Sequence, residues 1–248
     1  MNKIPRRTFL NLTTISALAP FISGCLPKIE PQNFFTNLAP KKDLQKTPPN
    51  EANLKPKTPA LPQPEHEDYK SMYAARKDNG FSIPAIPYKE IPPQFLRQTV
   101  NDPTGELPGT IVVDTQRRYL YFVQENNKAI RYGVGIGRAG FAWSGRANIK
   151  YKRIWPTWTP PAEMIARQPK LKKYSAANGG MEPGLNNPLG ARALYIFQDN
   201  KDTLYRVHGS PEWKSIGTAA SSGCVRMLNQ DIIDLYSRVS PNSPILVI

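Results

Sequence analysis

From Thr110 to Gly137 the chain reads TIVVDTQRRYLYFVQENNKAIRYGVGIG. β-Branched and aromatic residues dominate, polar positions interrupt them, and Glu125-Asn126-Asn127-Lys128 supplies a turn. That pattern does not give a helical stripe. It predicts consecutive strands joined by a hairpin. ALYIFQDNKDTLYRVHG, from Ala193 to Gly209, repeats it with a turn at Asp199-Asn200-Lys201-Asp202, and SPILVI closes the chain as another strand. NQDIIDLYSRV, starting at Asn229, is the one clear helix: Asn229 is expected as its cap, Asp231 suits its first turn, and Ile232, Leu235, Tyr236 and Val239 share a face. Many strands, few helices and no regular β–α alternation predict a mainly β domain with a short helix near the C-terminus, with mixed sheets packed as a sandwich or curled towards a barrel.

The domain predicted for residues 109–248 follows a segment of different character. Thirteen of the 26 prolines lie between residues 26 and 100, which excludes a packed core for most of that stretch. Residues 25–67 read as a disordered Pro- and Lys-rich linker. Residues 68–108 carry Tyr69, Met72, Tyr73, Phe81, Ile83, Ile86 and Phe95 and are expected to pack over the domain as irregular structure. At the start, Lys3, Arg6 and Arg7 precede a short apolar run from Phe9 to Ile22, so residues 1–24 read as an export signal. Arg6-Arg7-Thr8-Phe9-Leu10 resembles a twin-arginine signal, and Ile22-Ser23-Gly24-Cys25 resembles a bacterial lipobox, which implies lipidation of Cys25. The expected location is therefore the periplasm, with a lipid anchor to the membrane, the outer membrane being favoured because Leu26 stands after Cys25 in place of an aspartate.

The formal net charge is +14, and export excludes nucleic acid as the partner, leaving anionic envelope surfaces and carboxylate-rich substrates. Gly135-Ile-Gly-Arg-Ala-Gly140 matches a dinucleotide fingerprint literally, but no helix follows and residues 155–165 offer only Glu163 as an acidic residue. It reads instead as a glycine-rich strand end beside a cleft. No cofactor and no metal is expected. The tryptophans Trp143, Trp155 and Trp158 lead into a Pro-rich stretch, WPTWTPPAEMIARQP, which reads either as a lid over the cleft or as core packing.

There are two histidines and two cysteines. His66 sits among acidic residues in the linker, and lipidation of Cys25 leaves Cys224 as the only thiol of the mature chain. His208 ends a strand-like run, and Cys224 follows it by sixteen residues. A Cys–His pair is the minimal set for thiol acyl transfer: an imidazolium and backbone donors are expected to hold the thiol as thiolate. Gly223 lets the backbone turn tightly and aim amides at an oxyanion.

HGS…IGTAASSGCVRM is similar to the signature of L,D-transpeptidases, in which His-Gly is followed by Ser-x-Gly-Cys-Val/Ile-Arg/Asn. The matched residues are His208, Gly209, Ser221, Gly223, Cys224, Val225 and Arg226. NPLGARAL, from Asn187 to Leu194, and the opening strand PGTIVVDTQRRYLYFV also resemble family segments. Where some members carry His or Lys before Gly-Cys, this chain has Ser222, so no proton role falls there. The resemblance implies a peptidoglycan substrate. Cys224 attacks the stem-tetrapeptide carbonyl before the terminal D-alanine, and His208 transfers the proton, oriented by the Gly209 carbonyl. The amides of Gly223 and Cys224 are candidates for the oxyanion hole, Ser221 and Ser222 for substrate contact. Arg226 reads either as a substrate-carboxylate holder or as a structural ion pair, and Arg192 and Arg206 are weaker substrate-binding candidates of the same kind. An amine then resolves the thioester: another stem peptide, giving a 3–3 cross-link, or an outer-membrane protein or lipoprotein. Acylation of Cys224 by carbapenems is implied as well. Two alternatives share the sequence: a thiol carboxypeptidase or endopeptidase, and a peptidoglycan-binding tether without turnover.

Overall fold

The computed structural model describes residues 68–137, 143–221 and 223–248. The export signal, Cys25, the linker with His66, Gly140 and Ser222 lie outside the described residues.

Residues 68–108 are more regular than their prolines suggest. A helical turn α1 (Tyr69–Met72) leads into a hairpin of β1 (Arg76–Asp78) and β2 (Phe81–Ile83), and β3 (Gln98–Asn101) joins the main sheet. The reason is apolar anchoring: Tyr73, Ile83, Ile86, Ile91 and Leu96 are buried, and Pro87, Pro92 and Pro93 confine the chain between anchors to extended residues and single 3-10 turns.

The strands that follow are β4 (Ile111–Asp114), β5 (Tyr119–Gln124), β6 (Lys128–Gly133), β7 (Ile136–Gly137) and β8 (Gly145–Ile154). After a long loop containing α2 (Ala162–Arg167) come β9 (Arg192–Gln198), β10 (Lys201–Ser210), β11 (Ala219–Ser221), β12 (Val225–Leu228), α3 (Asn229–Arg238) and β13 (Pro244–Val247). Among the described residues nine strands form one mixed sheet in the order β12-β10-β9-β8-β13-β4-β5-β6-β3, with β10·β12 and β13·β4 parallel and the other neighbours antiparallel. The two turns read from sequence are present. Asn126 and Asn127 (φ 59° and 55°) and Asp199 and Asn200 (φ 49° and 60°) hold the left-handed conformations of type I′ turns, whose twist matches that of the flanking strands.

The sheet curls back on itself. Gly135 exchanges both backbone hydrogen bonds with Arg226 of the terminal strand β12, at 2.9 and 2.8 Å. A side chain at 135 would strike the Ser215 carbonyl, so the glycine reflects close backbone approach, as expected of a strand end rather than of a phosphate loop. Inside the curl lies the core, with Ile111, Leu120, Tyr132, Ile149, Leu194, Val207, Val225 and Met227 packed against Ile232 and Leu235 of α3. Asn229 does not cap that helix: Leu228 is the N-cap residue, without a side-chain cap, and the Asn229 Oδ1 accepts a hydrogen bond from the Ala191 N–H at 2.9 Å.

Candidate active site

The site is built on the outer face of the strands at one end of the sheet. In β10 and β12 the partners are Val207↔Val225 and His208↔Arg226. Side chains alternate across a strand, and Val207 and Val225 are fully buried in the core. His208 and Arg226 therefore face outward together. Arg206, two residues before His208 on the same strand, faces outward too. Cys224 immediately precedes β12, the parallel neighbour of the strand that carries His208, and its sulfur lies against the Arg206 peptide N–H. The pairing of β10 with β12 thus brings the two residues of the sequence signature near one another.

His208 is buried. Its Nδ1 is 2.6 Å from the Gly209 carbonyl, so Nδ1 carries the proton and donates, which leaves Nε2 to act as base. Gly209 itself is set by packing: a Cβ there would collide with the Asn229 Oδ1 and crowd Ile232. Burial, opposed by the Gly209 carbonyl and reinforced by the nearby Arg226 and Arg206 charges, lowers the His208 pKa to about 4. The Pro188 carbonyl near the ring favours its protonated form, in which both nitrogens can donate. Cys224 is half-buried and outside any disulfide. Burial raises its pKa, against lowering by the Arg206 peptide N–H and by the Arg206 and Arg226 charges. The sequence reading expected a thiolate beside an imidazolium. The structure holds both groups towards their neutral forms, because no carboxylate accompanies the ring and desolvation outweighs the amide and cations around the sulfur.

Gly223 has φ 131°, a conformation that favours glycine, and a Cβ on it would sit 3.4 Å from the Tyr205 ring. Ser221 pairs with Gly137 in a two-stranded parallel sheet of β11 and β7, flanking the loop that carries Gly223 and Cys224. Arg226 forms a 2.7 Å ion pair with the exposed Glu212. Arg206 is gripped by both oxygens of Asp202 at 2.7 Å. Arg192, expected at the substrate, is buried, with its terminal nitrogens 2.7 and 2.9 Å from Asp78 and a further bond to the Ala191 carbonyl. It is a structural ion pair that ties hairpin β1–β2 to the start of β9. Trp155 is buried, stacks on Phe81 at 4.1 Å, and donates to the same Asp78 at 2.7 Å. Core packing therefore accounts for Trp155. Beyond it the loop turns back at Asn187, whose fully buried amide donates to the carbonyls of Pro156, Met181 and Glu182. That places Pro188 against His208. Asn187, Asn229 and Asp78 support the site; from sequence Asn229 reads as a helix cap and Asn187 as the start of a family-like segment, and none of the three is expected to brace the site. Asn and Asp in loop-rich surroundings ordinarily signal turns, and only the third dimension distinguishes a buried brace from a turn. Among the described residues no cluster of His, Cys, Asp or Glu could hold a metal ion.

A thiol and an imidazole thus lie near one another on a mainly β scaffold, with the imidazole tautomer fixed by the next carbonyl and a glycine before the thiol. Residues 108–247 match the L,D-transpeptidase catalytic domain, YkuD, and the chain belongs to that family. It is 33% identical over 139 residues to the probable L,D-transpeptidase YbiS of Escherichia coli K12, a match covering 53% of this chain and 41% of that protein. The probable L,D-transpeptidase ErfK/SrfK of Salmonella typhimurium is 29% identical over 216 residues, covering 81% of this chain and 66% of that one. The match to the Escherichia coli relative thus spans less than half of its length. Among solved structures, a Brucella melitensis protein described as a probable carnitine operon oxidoreductase is 46% identical, covers 62% of this chain and 94% of its own, and has a TM-score of 0.44. An L,D-transpeptidase from Mycobacterium smegmatis is 18% identical, covers 56% and 58%, and has a TM-score of 0.39. The family assignment rests on the catalytic-domain match.

Proposed function

We propose that this protein is a peptidoglycan L,D-transpeptidase that works through a cysteine acyl-enzyme. The observation that carries the reading is His208, with Nδ1 committed to the Gly209 carbonyl at 2.6 Å, on the strand whose Arg206 N–H meets the Cys224 sulfur. The resting pair is a neutral thiol and a neutral imidazole. As the sulfur attacks the carbonyl between the third stem residue and the terminal D-alanine, Nε2 of His208 takes the thiol proton. The Gly209 and Pro188 carbonyls then stabilise the imidazolium for the brief interval before the proton passes to the departing D-alanine amine. The C–N bond breaks and a C–S thioester remains. An acceptor amine attacks that thioester, loses its proton through His208, and restores the thiol. The amides of Gly223 and Cys224 serve the oxyanion in both halves. Arg226, paired only with an exposed carboxylate, is placed to exchange Glu212 for a substrate carboxylate.

The acceptor is a second stem peptide or an envelope protein, and the protein works in the periplasm, anchored through lipidated Cys25. Support for export and anchoring is the N-terminal sequence alone. The test is incubation with a disaccharide-tetrapeptide: release of D-alanine and an acyl adduct on Cys224 by intact mass spectrometry are expected. Release of D-alanine with water as the only acceptor would assign a carboxypeptidase instead, and binding without release would assign the tether. A carbapenem is expected to add its mass to the wild type and not to Cys224→Ala.

A further inference from the structure

The catalytic face continues beyond the catalytic pair. By register, Arg206 faces Tyr195 and Tyr195 faces Tyr151, and the Cys224 thiol, just before β12, lies against the Arg206 peptide N–H. A row Arg206–Tyr195–Tyr151 across three strands thus starts beside Cys224. Contacts along it agree. The Arg206 guanidinium lies 4.3 Å from the Tyr195 ring centroid. Tyr195 and Tyr151 stack at 4.3 Å with 21° between planes, and Phe197 closes on Tyr151 at 5.8 Å. Arg153, next on the same face, has its guanidinium 5.5 Å from the Tyr151 centroid. The shelf is rigid, since Asp202 fixes Arg206 through two hydrogen bonds. It is also open: Tyr151 is 37% exposed.

The row leads somewhere. On its other side β12 is closed off by Gly135, through the paired backbone bonds of Gly135 and Arg226. The neighbouring row, at His208 and Ala193, is buried and meets the loop that carries Pro188. The open continuation from the nucleophile is across β10, β9 and β8. Two strand spacings place Tyr151 about 10 Å from Arg206, beside Cys224. Three extended peptide residues reach about 10 Å, at about 3.3–3.6 Å each. A stem peptide with its third carbonyl at Cys224 therefore brings whatever carries the stem to the edge of this shelf.

The geometry points to Tyr151 and Arg153, backed by Tyr195, as a saccharide subsite that receives the disaccharide bearing the donor stem peptide. A pyranose lays its apolar C–H face on an aromatic ring, and the Arg153 fork donates to its ring hydroxyls or N-acetyl carbonyl. This rests on the transpeptidase reading, and it adds that the donor is recognised as a muropeptide and not as a bare peptide. No electrostatic attraction to an anion is required, because Arg206 is already matched by Asp202.

The test uses binding to the folded Cys224→Ala variant, which turns nothing over, followed by calorimetry. The probes are a disaccharide-tetrapeptide and the same tetrapeptide without sugars. The disaccharide form is expected to bind about tenfold more tightly, the equivalent of one good aromatic contact. Tyr151→Ala in that background removes the preference, Tyr151→Phe retains it, and Arg153→Ala, which leaves the stacked rings in place, reduces it two- to threefold. Equal affinity for the two probes overturns the subsite, as does a Tyr151→Ala loss shared equally by both. The transpeptidase reading is judged separately by D-alanine release from wild-type protein: release with no sugar preference sinks only the subsite, whereas sugar-dependent binding without release sinks only the reaction.

Discussion

Two clusters of ionisable groups lie in this domain, and they meet burial in opposite ways. Around α3, Arg97 pairs with Asp234 at 2.9 Å and lies 3.8 Å from Asp231, Tyr132 donates to Asp234 at 2.6 Å, and Tyr73 donates to Asp231 at 3.4 Å. Opposite charges are present in near balance. Asp234 accordingly stays below the usual carboxylate range despite desolvation, Arg97 is raised, and both tyrosines are held as phenols. At His208 and Cys224 the charges that act directly are Arg206 and Arg226, whose own partners are Asp202 and Glu212, and no described carboxylate adjoins the ring or the sulfur. There desolvation wins, pushing His208 down and Cys224 up. The lesson is that burial by itself favours neutrality, and a charge survives it only beside a counter-charge. The balanced cluster fixes the N-terminal segment to the helix. The unbalanced one leaves a proton free to move, which is what acyl transfer uses.

The largest expected effect comes from removing the unbalanced pair. Cys224→Ala and His208→Ala should each lower D-alanine release by at least about a thousandfold, and the double variant should be little worse, because the residues act as a unit. Circular dichroism should stay native. Near-normal release from folded His208→Ala would end its assignment as proton carrier.

Next in size is the balanced cluster. Asp231→Ala strips a counter-charge from a fully buried site, at a cost of about 3–5 kcal/mol in chemical denaturation. The fraction that remains folded should turn over normally. A variant as stable as wild type would mean that the cluster does not fasten the N-terminal segment.

The pH dependence of stability follows. His208 binds its proton near pH 4 when folded, and near 6.5 when unfolded. Above 6.5 both states are neutral at this site and it contributes nothing. Below it the unfolded chain takes up the proton first, so stability falls between pH 6.5 and 4, by up to about 3 kcal/mol. His208→Gln should lack this component in urea titrations across that window. An identical decline in both proteins would contradict a neutral buried ring.

The smallest effect distinguishes the neutral pair from an ion pair. Iodoacetamide should alkylate Cys224 more slowly at pH 7 than it does a small model thiol, with a rate that climbs above pH 9. A rate plateau already reached by pH 6 would restore the thiolate–imidazolium picture.

Much of this was legible in sequence where local chemistry dictates structure. The Asn126-Asn127 and Asp199-Asn200 turns, the strands around them and the α3 face follow from residue type and period, and the resemblance placed Cys224, His208 and the Gly209 carbonyl. What sequence hid was long-range. Nothing near Asp78 announces that it will meet Arg192 and Trp155, 114 and 77 positions away. Asn229 looked like a cap because a cap is the local use of Asn, whereas the Ala191 amide, 38 residues distant, claims its side chain. The neutral state of the pair depends on desolvation and on the absence of a carboxylate beside the ring, both products of packing.

The crossing behind His208 has a consequence for how this sequence can drift. A Cβ at Gly190 or at Gly209 would collide with the same atom, the Asn229 Oδ1, and that atom in turn holds the Ala191 amide. The three positions form one interlocked choice. Enlarging either glycine evicts the asparagine, and shortening the asparagine opens space but orphans a buried amide. Single steps away are each penalised, so neutral variation should leave the trio untouched while the surrounding surface diversifies. An engineer wishing to move His208 relative to Cys224 would have to rewrite all three at once.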